Sequence, residues 1–101
     1  MTKAGKRLER LLAVPPPKDF SWEEAVTVLE HAGFVASCPG GSHYLFHHSR
    51  IGFTFRISKP HKRRGSEFLK HYQIRDLIRA LEKVGATPNA DDEISGVQRL
   101  N

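Results

Sequence analysis

The chain has 101 residues, 39% hydrophobic and 27% charged, with a formal charge of +5, a balance ordinary for one soluble globular domain. No apolar run approaches the roughly 20 residues that a membrane-spanning helix needs, and Leu11-Leu12-Ala13-Val14 is too short for the apolar part of a signal peptide before three prolines follow. Cys38 stands alone, which rules out an internal disulfide, and no spacing of Cys and His suggests a zinc site, so a cytoplasmic protein without metal or cofactor is expected.

Residues 1–14 fit a short amphipathic helix, with Ala4, Leu8, Leu11 and Leu12 on one face and basic residues on the other. Pro15-Pro16-Pro17 then favours an extended, semi-rigid spacer. Residues 1–19 are therefore expected as a basic N-terminal arm with a Pro-rich linker, outside a domain spanning 20–85. Ser21 and Glu24 form the pattern of a capping box, in which hydroxyl and carboxylate each satisfy a free backbone N–H. Trp22, Ala25, Val26, Leu29 and Ala32 recur at helical spacing, and Gly33 stands where a left-handed cap ends a helix.

Residues 34–38 read as a first strand, ended by Pro39-Gly40-Gly41. Residues 42–48 read as a second and 51–57 as a third. Alternation in the third puts Ile51, Phe53, Phe55 and Ile57 inward and leaves Thr54 and Arg56 outward. In the second it buries Tyr44 and Phe46, so His43, Leu45 and His47 share the open face with Arg56. His48 is assigned to the hairpin end. Residues 58–66 form a polar loop, and 67–71 fit either a short strand or a loop. Residues 72–84 are a second amphipathic helix, built on Ile74, Leu77, Ile78, Leu81 and Val84 and stopped by Gly85. The rest, 86–101, is expected as a mobile acidic tail carrying Asp91-Asp92-Glu93. The order α-β-β-β-α implies an α+β fold: a three-stranded antiparallel sheet with two helices on one face, like a double-stranded-RNA-binding domain.

Charge is unevenly placed along this order. Residues 21–42 carry three acids and no Lys or Arg, whereas 43–83 carry ten Lys/Arg against three acids. Positive charge thus begins at His43 and continues through the second half, a field that attracts phosphate backbones. At the boundary lies Gly40-Gly41-Ser42-His43-Tyr44-Leu45-Phe46. A glycine turn there permits close approach to a ligand, and imidazole titrates near neutrality, which suits proton transfer.

These residues carry a resemblance. The helix ending in Glu30-His31-Ala32-Gly33-Phe34, then Gly41-Ser42-His43 with Phe46, Lys59-Pro60-His61, and the closing Ile74-Arg75-Asp76-Leu77-Ile78-Arg79-Ala80-Leu81 together resemble the HicA toxins. Those are small mRNA interferases of type II toxin–antitoxin systems. The resemblance implies a metal-independent endoribonuclease with His43 as the catalytic residue, acting on single-stranded mRNA and inhibited by a HicB-like antitoxin. The chain departs from the family in opening its last helix with Tyr72-Gln73-Ile74, after a longer and more basic loop, where members usually have Gly-Thr-Leu.

For RNA cleavage, His43 serves as general base or acid. Backbone N–H groups of Gly41 and Ser42 contact phosphate, and Arg56, Lys59, Lys62, Arg63 and Arg64 supply positive charge. His47, on the same face, and His61 are candidate auxiliary groups. Two other readings stay open: a non-catalytic RNA-binding module on the same fold, and a protein-interaction domain that uses the open sheet face around Leu45.

Overall fold

Six elements follow one another in the computed structural model, which describes residues 3–61 and 67–86: α1 (Lys3–Leu11), α2 (Trp22–His31), β1 (Val35–Gly40), β2 (His43–His48), β3 (Phe53–Ser58) and α3 (His71–Lys83). Helix α2 begins where its own sequence satisfies its free N–H groups. Glu24 N–H donates to Ser21 Oγ at 3.1 Å, and Ser21 N–H donates back to Glu24 Oε1 at 3.0 Å. The fold is α+β, with the three strands antiparallel in the order β1-β2-β3.

Register decides which side chains reach the helices. His43 lies opposite Ser58, Leu45 opposite Arg56 and His47 opposite Thr54, so these six share one face. The alternate set, Tyr44, Phe46, His48, Phe53, Phe55 and Ile57, faces the other way. There Trp22 of α2 meets Tyr44 and Phe46 edge-on, with ring centroids 4.9 and 6.1 Å apart. Ile74, Leu77 and Leu81 of α3 complete the same buried cluster. Helix α3 runs antiparallel to β3: Gln73 near its start bonds Ser58, and Lys83 near its end places Nζ 4.8 Å from the centre of the Phe53 ring.

Several boundaries differ from the sequence expectation. Strand β1 continues through Pro39 to Gly40, with an irregularity in its pairing between Ser37 and Gly40, so the prolyl-glycyl pair is inside the strand. Strand β3 starts at Phe53, and Ile51 lies in the preceding turn, 44% exposed. His48 is not a hairpin-end residue. It is buried on the inner face, its Nε2–H donating to the Ala32 carbonyl at 3.0 Å and its ring edge-on to Phe34. The other ring nitrogen, Nδ1, is buried and has no partner among the described residues.

The largest correction concerns the expected arm. Helix α1 packs onto α2 and sends Leu8 and Leu11 into the main core, where they are 2% and 0% exposed. Polar contacts secure it. Arg10 donates through Nη1 to Glu24 Oε2 at 2.8 Å and through Nη2 to Asp19 Oδ1 at 2.6 Å, while its guanidinium lies 5.3 Å from the centre of the Phe20 ring. The proline segment, whose Val14–Pro15 peptide is cis, thus belongs to a connection that folds back and does not hold α1 away. Of the acidic tail expected at 86–101, Ala86 packs against the core and its N–H donates to the Leu81 carbonyl at 3.0 Å, while the rest, from residue 87, falls outside the described residues.

Two substitutions test this packing. Leu11→Ala should destabilise the protein by about 2–5 kcal/mol, read from a denaturant midpoint, whereas a detached arm would leave the midpoint unchanged. Gly33 has φ +104, and a Cβ there would stand 2.8 Å from His48 Nε2. Gly33→Ala should therefore lower stability by about 1–3 kcal/mol, with less loss when His48 is also shortened to Ala.

Candidate functional site

The β1–β2 connection is a two-residue turn. Gly40 pairs with His43, leaving Gly41 and Ser42 between them, and Gly41 adopts φ +56, a conformation open to glycine at little cost. The turn is tied on both sides. Cys38 Sγ lies 3.3 Å from the Gly41 carbonyl, to which its S–H donates, and Lys59 N–H donates to the Ser42 carbonyl at 2.8 Å. His43 therefore projects from a fixed corner, with its ring exposed to solvent. Ser58 Oγ lies 3.4 Å from its Nδ1. A hydroxyl both donates and accepts, so this contact accommodates either tautomer and leaves Nε2 free as base or acid.

Two clefts meet at this corner. The first, of about 470 Å³, holds His43, Leu45 and Arg56 of the sheet together with Tyr72 and Asp76 of α3. The second, of about 530 Å³, lies beyond Ser42 and is lined by Lys18, Lys59, His61, Phe68, Lys70 and Tyr72. Ser58, Tyr72 and Gln73 belong to both, so the two are continuous. Their charges differ. The lining of the first includes both the Arg56 cation and the Asp76 carboxylate, and the latter lies 3.8 Å from Arg79. In the second, three lysines from three separate segments converge.

The structure brings together part of the expected site. Arg56 shares the first cleft with His43, and Ser42, Lys59 and His61 share the second. Lys59 is not a free cation, since its Nζ lies 3.4 Å from Glu67 Oε2. His47 bonds Thr54 Oγ1 through Nδ1 at 2.9 Å. Four residues along a strand is about 13 Å, which puts His47 out of reach of a phosphate held at His43. Gly41 is exposed at the turn and lines neither cleft. Lys62, Arg63 and Arg64 lie outside the described residues. Among those described, no group of three or more His, Cys, Asp or Glu could hold a metal ion, and no helix is long and apolar enough to cross a membrane.

Sequence reasoning missed Lys18, Phe68, Lys70 and Gln73, and treated Tyr72 only as the start of a helix. Lys18 sat in the presumed linker, and the segment at 67–71 had no clear period. That segment is anchored by backbone bonds to the start of α2: Trp22 N–H to the Glu67 carbonyl at 2.7 Å and Leu69 N–H to the Phe20 carbonyl at 2.9 Å. No protein-family model matches the chain, and no curated protein or solved structure is significantly similar to it.

Gln73 joins the two clefts mechanically. Its Nε2–H donates to the Ser58 carbonyl at 2.9 Å, and its Oε1 accepts from Lys70 N–H at 3.0 Å, while the residue is 4% exposed. Gln73→Leu keeps the bulk and orphans both backbone groups. It should cost about 1–3 kcal/mol by denaturant titration. Gln73→Glu should recover the capping acceptor alone and fall between Leu and the parent.

Proposed function

We propose that this chain is a HicA-like mRNA interferase, an endoribonuclease that works by acid–base catalysis at His43 without a metal. The observation that carries the reading is the placement of one solvent-exposed histidine, on a turn fixed from both sides, at the junction of a cleft containing Arg56 and a cleft lined by lysines. RNA brings its own nucleophile. His43 Nε2 takes the proton of a 2′-hydroxyl, the 2′-oxygen attacks the adjacent phosphorus, and the P–O5′ bond breaks. The 5′-oxygen leaves with a proton from the imidazolium or from water. The products are a 2′,3′-cyclic phosphate and a 5′-hydroxyl; a proton taken from water is made good by the imidazolium, so the net reaction consumes no water, oxidant or cofactor. Positive side chains beside the phosphorus favour the extra negative charge of the pentacoordinate state.

The reading carries with it a cytoplasmic role and a HicB-like antitoxin as partner, for which the sheet offers a surface. His43, Leu45, His47 and Arg56 are grouped on the uncovered sheet face, offering one apolar anchor among groups that attract an acidic surface. A non-catalytic RNA-binding module is the second reading. Asp76 favours it, because a carboxylate in the His43 cleft opposes a phosphate there.

His43→Ala separates the two. Under the catalytic reading it lowers the cleavage rate about 10²- to 10⁴-fold while folding and most RNA affinity persist. Cleavage by the parent survives excess chelator and leaves 2′,3′-cyclic phosphate ends. Absence of cleavage by the parent, with RNA binding retained, selects the binding module. Chelator-sensitive cleavage with 5′-phosphate ends overturns the metal-independent mechanism.

A further inference from the structure

Phe68 and Tyr72 are large side chains left in water at 40% and 52% exposure, on backbone that has little freedom to hide them. Phe68 lies in the extended piece bridged to Ser21. The next residue, Leu69, points into the core at 4% exposure, so Phe68 is turned outward. Tyr72 stands in the first turn of α3, beside the buried Gln73 that pins that turn to β3. Both aromatic residues line the second cleft, among Lys18, Lys59, Lys70 and His61. Among the described residues, no carboxylate lies within ion-pairing distance of Lys18 or Lys70.

Exposed aromatic faces beside unpaired cations match the chemistry of a single-stranded polynucleotide. Bases offer π-faces for stacking, and the backbone between them offers phosphates to the lysines. A duplex would keep its base faces stacked on each other and unavailable. The cleft volume, about 530 Å³, is within the range of sites that hold a small organic group. Tyr72 also lines the His43 cleft, so a base held there lies next to the reacting phosphate.

We propose that Tyr72 and Phe68 form a base-stacking subsite that holds one unpaired nucleotide of a single-stranded RNA beside His43, with Lys18 and Lys70 on its flanking phosphates. The proposal rests on the RNA reading above and adds to it a positional role for side chains outside the histidine turn. Stacking accepts any base, so the subsite selects for an unpaired nucleotide and not for one base identity.

The test uses the full chain carrying His43→Ala, so that substrate survives, and a single-stranded oligoribonucleotide with 2-aminopurine at successive positions. Binding should quench the probe most strongly at one position. Tyr72→Leu and Phe68→Leu should each weaken affinity about tenfold to a hundredfold and remove that quench, whereas Tyr72→Phe should keep both. An abasic nucleotide at the quenched position should weaken the parent at least as much as either Leu variant does, and add nothing to the Tyr72→Leu/Phe68→Leu double variant. Both Leu variants replace exposed rings, and circular dichroism checks that they fold. Unchanged affinity and quenching in the folded Leu variants overturns the subsite while leaving the RNA reading intact. No binding of the oligonucleotide by the His43→Ala parent at low salt overturns both.

Discussion

A single buried amide sets the geometry on which the candidate site depends. Gln73 uses both ends of its side chain, donating to the last carbonyl of β3 and accepting from the N–H at the start of α3. Losing either bond leaves a main-chain group unsatisfied, so the end of the sheet and the start of the helix are held together. The next residue along from Ser58 extends the corner, because Lys59 N–H bonds the Ser42 carbonyl of the histidine turn. Three segments distant in sequence, at 41–43, 58–59 and 70–73, are thus joined by hydrogen bonds into one unit. A reacting group gains from such fixation, since a proton-transfer residue must hold its distance to the substrate closely.

The junction of the first two helices uses the same economy of groups. Glu24 caps α2 through Oε1 and receives Arg10 of α1 through Oε2. One carboxylate therefore starts the second helix and anchors the first. Arg10 also bonds Asp19 and lies over Phe20, whose carbonyl accepts from Leu69 N–H. The connection after α1 thus reaches the extended segment that presents Phe68. This physical chain explains how Lys18, close in sequence to that connection, comes to line a cleft formed mainly by the C-terminal half.

Local chemistry was legible in the sequence wherever a short pattern carried its own cause. The Ser21–Glu24 cap, the alternation in β2 and β3, the outward set of His43, Leu45 and Arg56, and the apolar stripe of α3 all follow from spacing alone. What was not legible depended on distant partners. The proline run suggested a spacer because its stiffness is local, whereas the return of α1 requires Leu8 and Leu11 to find the core and Arg10 to find Glu24. His48 lay beyond the inward pair of Tyr44 and Phe46, and a histidine near a strand end reads as polar. Its burial depends on the Ala32 carbonyl and on Gly33, whose missing Cβ makes room for the ring. The Lys18–Phe68–Lys70–Tyr72 cleft draws on four segments, at 18, 42, 58–61 and 68–73, and no window of sequence contains it.

Electrostatics then decides how the two clefts divide the work under the RNA reading. Arg56 and Asp76 both line the His43 cleft, so a phosphate there meets one charge of each sign. Lys18 and Lys70 of the neighbouring cleft act together, and at physiological salt a charge is felt over about 8 Å. A polyanion would therefore bind first through the lysine cleft and reach His43 as its next nucleotide passes Ser58 and Tyr72, which border both clefts. Under that reading Asp76 would raise the cost of any phosphate at His43, and only a strand already held next door would offset that cost, so attachment and catalysis would fall to different parts of one groove.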